Sequence, residues 1–141
     1  MNVGIASDHA GFQLKEQLKT ELKNMGVDIT DYGTNSEDSC DYPDFAHPLA
    51  KSIGKENELG IAICGSGNGI NMTLNKYPHI RSAIVWNKEL SELARQHNNA
   101  NIIALPARFI DLKIAIESVK QFLETSFEGG RHQRRVEKIS I

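Results

Sequence analysis

Short continuous apolar runs alternate along the chain with longer stretches in which apolar residues recur every three or four positions. Runs at 3–6, 27–30, 59–64, 82–86 and 101–105 are short, and most lack a polar face, so they predict parallel strands covered on both sides. After the first run, Leu14, Leu18, Leu22 and Met25 lay one apolar stripe along a helix that opens at Phe12 and stops at Gly26. Residues 44–55 and 88–96 read as further helices. In 111–125, Leu112, Ala115, Ile116, Val119, Phe122 and Leu123 form a core-facing side. The polar segment 34–42 follows a strand and ends at Pro43, which makes it a loop placed to line a site. The alternation predicts an α/β protein with five parallel strands and about five helices in a doubly wound sheet.

Composition narrows the picture. A chain of 141 residues, 40% hydrophobic and 24% charged, suits one domain spanning residues 1–141 that needs no disulfide or metal staple. Sixteen basic against eighteen acidic residues leave a net charge of -2, the wrong sign for a nucleic-acid partner. No run approaches the roughly 18 apolar residues of a membrane span, and residues 1–8 lack a basic, then apolar, leader pattern. The flanks of Cys40 and Cys64 match no metal knuckle, so no metal is expected, and the reduced cytoplasm is the expected compartment.

Parallel sheets bind ligands beyond the carboxyl ends of their strands, so residues just after strands are the ones to read for chemistry. Three segments stand out: Ser7-Asp8-His9-Ala10-Gly11, Cys64-Gly65-Ser66-Gly67-Asn68-Gly69, and Arg95-Gln96-His97-Asn98-Asn99. Their chain positions are expected to bring all three to one edge of the sheet. Gly65, Gly67 and Gly69 let backbone N–H groups point into one concavity, an anion cradle, although a tight turn would also use glycine. The spacing fits neither a dinucleotide fingerprint nor a P-loop. Cys64 beside those N–H groups suits a thiolate, nucleophile or base, against the plainer reading of a small buried hydrophobe. Ile70 stands where a cysteine phosphatase would need arginine.

His97 ends a helix, where an imidazole is either a catalytic group or a terminal cap, and Asp8 beside His9 is either a ligand or a helix N-cap. His47 and His79 read as surface positions, and His132 belongs with the tail. Two glycines separate the last predicted helix from a basic tail within 128–141. If it is helical, Arg131 and Arg135 share a face and can grip a phosphate with Arg108, while Arg134 and Lys138 form a second, solvated pair. A wholly solvated tail is the alternative.

With these residues in view, the sequence resembles the ribose-5-phosphate isomerase B family, which includes galactose-6-phosphate isomerase subunits. The likeness rests on residues 7–12 (Ser-Asp-His-Ala-Gly-Phe), 41–43 (Asp-Tyr-Pro), 63–70 (Ile-Cys-Gly-Ser-Gly-Asn-Gly-Ile), Asn75-Lys76, 95–98 (Arg-Gln-His-Asn) and 128–136 (Glu-Gly-Gly-Arg-His-Gln-Arg-Arg-Val). It spans essentially the whole chain. The resemblance implies a Rossmann-like three-layer αβα sandwich on a five-stranded parallel sheet, a homodimer or a tetramer, and a cofactor-free site assembled from two subunits.

For the residues, the resemblance implies a proton transfer between C1 and C2 of an aldose phosphate. Cys64 would be the base, because the branch that uses glutamate has it at the position of Ile70. The N–H groups of Gly65, Ser66, Gly67, Asn68 and Gly69 would hold the enediolate, and Ser66 would relay hydroxyl protons. His97 would open the sugar ring, Asp8 and Asn98 would bind hydroxyls, and Tyr42 would line the sugar. His9, Arg108, Arg131 and Arg135 would hold the phosphate. Pro106 and Asp111 depart from glycines common in the family. Interconversion of ribose 5-phosphate and ribulose 5-phosphate is the expected reaction. The alternatives are a six-carbon sugar phosphate (allose or galactose 6-phosphate) and a non-catalytic phosphosugar sensor.

Overall fold

The computed structural model describes residues 1–141. Apolar β-branched runs form the strands β1 (Asn2–Ser7), β2 (Asp28–Asp31), β3 (Leu59–Cys64), β4 (Ser82–Ile84) and β5 (Ile102–Pro106). They form one parallel sheet in the order β2-β1-β3-β5-β4. The central strands β1, β3 and β5 are buried on both faces, which explains their non-alternating composition. At the edge, β2 alternates exposed and half-buried residues.

Helices cover both faces. One face carries α1 (Phe12–Asn24), α4 (Lys88–Gln96) and α5 (Leu112–Glu124), packed over Val3, Ile5, Ile61, Ile63, Ile103 and Leu105. The other carries α2 (Pro43–Ser52) and α3 (Asn68–Leu74), packed over Ala6, Ala62, Cys64, Ile102 and Ala104. A sixth helix, α6 (Arg131–Glu137), makes the tail helical. The α/β reading therefore stands, with six helices instead of about five and a single 3-10 turn over His9–Gly11.

Local chemistry sets the ends. Asn87 caps α4 through Leu90 N–H at 2.9 Å, and Asp111 caps α5 through Ile114 N–H at 2.9 Å. Helix α2 stops at Ser52, short of the expected 55, because Ile53 turns extended and bridges to Asn57, and Gly54 adopts a left-handed φ of 84°. Strand β4 has three residues, not five, as the chain leaves the sheet edge after Ile84. Met25 and Leu112, expected in apolar stripes, are exposed because each sits at a helix end.

Strand order locates the working edge. From β1 the chain goes one way to β2 and then back past β1 to β3, so a crevice opens between the carboxyl ends of β1 and β3. Ser7-Asp8 and Cys64-Gly65 flank it. One buried charge cluster fixes the edge beside it: Lys15, 0% exposed, donates to Asp31 at 2.6 Å, and Lys19 bridges Asp31 at 2.8 Å and Glu16 at 2.9 Å. The other Asp31 oxygen accepts Gly33 N–H at 2.9 Å, which anchors the start of the loop that returns to α2.

Burial raises the Asp31 pKa, but hydrogen bonds from Lys15 and Lys19 outweigh it and leave the carboxyl below its ordinary value. The Lys19 hydrogen bond likewise depresses Glu16, and Asp31 raises Lys19. The carboxylate contributions are complete above the ordinary carboxylate range and drain as pH falls through the depressed values. The Lys19 contribution is complete below the ordinary lysine range and is lost only as pH rises through the raised value. Asp31→Asn is expected to cost about 2 kcal/mol at neutral pH, less than the roughly 3–5 of a fully buried pair because the carboxylate is partly solvated. Urea unfolding checks this: the variant should lie below wild type near about pH 7, and the gap should shrink as pH falls below the ordinary carboxylate range and through the depressed Asp31 value. Coincident curves at neutral pH would contradict it.

Candidate active site

The residues singled out in the sequence separate into two groups. The first lies at the carboxyl edge. Asp8 N–H donates to Ile63 O at 3.2 Å, joining the ends of β1 and β3. The buried Asp8 carboxylate caps the following turn, its Oδ1 accepting Ala10 N–H at 3.0 Å and Gly11 N–H at 3.2 Å, so the capping role is real and Oδ2 is left for a ligand. His9 Nδ1 accepts Cys40 N–H at 3.2 Å, which in the neutral ring assigns the proton to Nε2.

Cys64 ends β3, 4% exposed and packed with Ala62 and Ile70, so it fills space as a small hydrophobe while opening onto the glycine loop. The N–H groups of Gly65, Ser66, Gly67 and Gly69 find no acceptor in the protein, and Asn68 N–H is held by Ser66 Oγ at 3.2 Å. Gly67 has φ 79°, which a side chain would strain. A Cβ on Gly69 would strike the Tyr42 ring, so the half-exposed tyrosine lies directly over the cradle. The Arg108 guanidinium lies against Gly65, 3.1 Å from where a Cβ would stand. Its loop is pinned to β3 by Ala107 N–H to Cys64 O at 2.9 Å and Arg108 N–H to Gly65 O at 3.0 Å.

The second group lies at the opposite edge, which corrects the expectation of one shared edge. His97 and Asn98 follow α4 and precede β5, so they sit at the amino ends of the strands, about 15 Å from the cradle at 3.3 Å per strand residue. A residue after a strand and one before a strand cannot share an edge of a parallel sheet. His97, Asn98, Arg131, His132 and Arg135 line a hollow of about 410 Å³, ample for a phosphorylated sugar's end. Arg131 and Arg135 are exposed on one face of α6 and form no ion pair, as do Arg134 and Lys138, which do not line the hollow.

His97 caps its helix by backbone alone, N–H to Leu93 O at 2.9 Å, while its ring stacks on His132 with centroids 4.1 Å apart and planes 12° apart. His132 is buried, not part of a solvated tail. Its Nε2 lies 3.6 Å from Glu128. Ligand atoms of His97, Glu128 and His132 come within 4.8 Å of one another, yet stacked parallel rings aim their lone pairs side by side, so metal coordination would require a ring to rotate. His47 and His79 are exposed, as read, and bracket Tyr77 in edge-on contacts.

The family model described as Ribose/Galactose Isomerase matches residues 3–139. The chain belongs to that family. The solved ribose 5-phosphate isomerase of Thermotoga maritima is 46% identical, with a TM-score of 0.97, over 99% of this chain and 97% of that one. A Mycoplasma genitalium ribose-5-phosphate isomerase B, solved with bound ribulose-5-phosphate, is 43% identical with a TM-score of 0.93, over 98% and 93%. Among curated proteins, the Escherichia coli ribose-5-phosphate isomerase B is 39% identical over 139 residues, 98% of this chain and 93% of its own.

Both departures from the sugar-isomerase pattern have a place. Asp111 is the cap of α5, and Pro106 ends β5 opposite Cys64. Three contacts have no local mark in the sequence. The Cys40 amide reaches His9 across 31 positions, Glu128 reaches His132, and Arg95 organises the His97 turn. Arg95 donates from Nη1 to Asn99 Oδ1 at 3.0 Å and Ala100 O at 2.5 Å, and from Nε to Thr125 O at 3.2 Å, with its guanidinium over Phe122. Asn99, in the left-handed region at φ 47°, needs that support, and Arg81 Nε adds a bond to Asn99 O at 2.9 Å.

Burial, and for Arg95 the nearby Arg81 charge, weigh against both charged forms, so each acceptor counts. Arg95→Ala is expected to cost about 3 kcal/mol by leaving these acceptors unpaired. Urea unfolding measures it, and a loss below about 0.5 kcal/mol would return the arginine to ordinary surface status.

Proposed function

We propose that the protein is a ribose-5-phosphate isomerase that needs no cofactor and whose active site is completed by a second copy of the chain. The observation that carries this is the cysteine at the mouth of a cradle of unpaired N–H groups, in a chain nearly half identical to isomerases of that name. The Mycoplasma genitalium relative with bound ribulose-5-phosphate favours a five-carbon substrate over allose or galactose 6-phosphate. Retention of base, cradle and imidazole together favours catalysis over a phosphosugar sensor.

The chemistry follows from the groups. Ribose 5-phosphate is mostly a furanose, so His97 takes the O1 proton, becoming imidazolium, and delivers a proton to the ring oxygen, which opens the ring to the aldehyde and returns His97 to neutral. Cys64 as thiolate removes the proton on C2. The electron pair moves to the carbonyl, giving a cis-enediolate whose negative oxygen rests on the free N–H groups of Gly65, Ser66, Gly67 and Gly69, donors typically worth ~10² to 10³ in rate each. Ser66 carries the O2 proton toward O1, and Cys64 returns its proton to C1, leaving ribulose 5-phosphate. Asp8 Oδ2 and Asn98 hold hydroxyls, and Tyr42 covers the sugar. His9 Nε2–H, Arg108, Arg131 and Arg135 bind the phosphate, whose binding orients the reacting carbons.

A dimer reconciles these roles with the separation of the two groups. Helix α3 runs from the cradle at one edge to Asn75 at the other, where Asn75, Asn98 and Ile139 share a hollow. Met72 on α3 is 66% exposed, and Ile139 is exposed beside the second group. Two copies related by a two-fold axis, with α3 antiparallel to its mate, would set each cradle against the partner's imidazole and arginines and cover both apolar side chains. A cytoplasmic enzyme of sugar metabolism fits this reading.

Cys64→Ala is expected to reduce kcat with ribose 5-phosphate at least about 10²-fold without unfolding the protein. A coupled isomerase assay checks it, and retained turnover would remove Cys64 as base. Arg135→Ala should raise KM for ribose 5-phosphate about tenfold or more, as befits a charged hydrogen bond to phosphate, while Tm stays within a degree or so because Arg135 holds nothing in its own chain. An unchanged KM would return the tail to solvent.

A further inference from the structure

We propose that His132 is the positioning residue for His97, its buried ring serving as the platform that sets the plane of the ring-opening imidazole. This rests on the assignment of ring opening to His97. Helix α6 is otherwise a polar element: Arg131, Gln133, Arg134 and Arg135 are all exposed, and His132 alone among the first five residues turns inward. An imidazole buried from such a helix loses hydration and needs compensation. Two contacts supply it, the face-to-face stack on His97 and the Glu128 carboxylate 3.6 Å from Nε2.

The backbone ties the platform to its client. Glu128 N–H donates to Gln96 O at 3.1 Å, and His132 N–H donates to Gly129 O at 3.1 Å. The turn that carries both members of the His132–Glu128 pair is thus sewn to the residue immediately before His97. A helix-terminal side chain such as His97 would otherwise sample several rotamers. Stacking leaves the ring free to slide little and tilt less, and leaves its nitrogens free along the ring edge for sugar oxygens.

Charge supports the same division of labour. Burial, then the charges of His97 and Arg131, disfavour a proton on His132; Glu128 pulls the other way, and Arg135 adds a smaller disfavouring charge. A neutral platform does not repel the imidazolium that His97 must become during ring opening. The phosphate is left to Arg131 and Arg135, which flank His132 on the exposed side of the helix.

The test compares His132→Gln, which removes the ring, with His132→Phe, which keeps a flat ring and carries no charge, using ribose 5-phosphate as substrate. His132→Gln should lower kcat about tenfold, a fraction of the whole worth of an acid-base group, with KM within about twofold of wild type. His132→Phe should restore kcat to at least about half of wild type. Glu128→Ala, at an exposed position that tolerates change, should lower kcat about threefold by freeing the platform, and keeps the test decisive if His132→Gln does not fold. A rise in KM with kcat intact would place His132 in the phosphate grip instead, and equal loss in the Gln and Phe variants, or no loss in the Gln and Ala variants, would equally overturn the platform. His97→Asn is the control. Wild-type kcat in that variant would sink the ring-opening assignment itself, whereas an impaired His97→Asn beside a fully active His132→Gln would sink only the platform.

Discussion

In a parallel sheet every strand points the same way, so loops that follow strands and turns that precede them are held apart by the length of a strand. The cradle, Cys64, Asp8, His9 and Arg108 follow strands, and His97 and Asn98 precede one. The α6 arginines lie with the latter. The paired strands β3 and β5, the central pairing of the fold, span that gap within one chain. On the proposed reading, each copy presents an anion hole with a base at one end, and a proton shuttle with a phosphate grip at the other. Joining unlike ends through a symmetric dimer would give two identical sites from one surface.

The same constraint accounts for where the charges sit. The net charge is close to neutral, but the acidic and basic groups are not mixed evenly. Lys15, Lys19, Glu16 and Asp31 neutralise one another on the flank of β2, where they hold the edge. Arg81 and Arg95 spend their donors on the turn before β5. Arg108, Arg131 and Arg135 are left unpaired, one at the carboxyl edge and two at the amino edge. A dianionic phosphate bridging a dimer would meet charge from both directions, which helps associate the substrate and orders the two edges around it.

Much of this was legible in the chain. Period and composition identified the five strands, the order of helices and the glycine cradle, because buried parallel strands and a glycine-rich turn leave strong local marks. Ends were less legible: α2 stops early through a bridge between Ile53 and Asn57, and β4 is cut short by its place at the sheet edge, neither of which has a local signature. The error over edges was one of topology. His97 near β5 looked adjacent to the cradle in sequence logic, yet it stands before its strand and not after it. His132 escaped because α6 has no apolar stripe, so nothing in its periodicity marks the one side chain that turns inward. Cys40, without a motif, meets His9 Nδ1 with both its amide, at 3.2 Å, and its thiol sulfur, at 3.9 Å.

In the proposed enzyme, Cys64 and His97 meet only across two copies of the chain. The most direct measurement mixes two inactive proteins, Cys64→Ala and His97→Asn, after partial unfolding and refolding together so that subunits exchange. Each mixed dimer then holds one site with both groups intact and one with neither. Isomerase activity in an equal mixture should rise to about one quarter of the wild-type value at the same chain concentration. Activity that stays at the sum of the two separate variants, with exchange verified by a tagged subunit, would contradict the shared site.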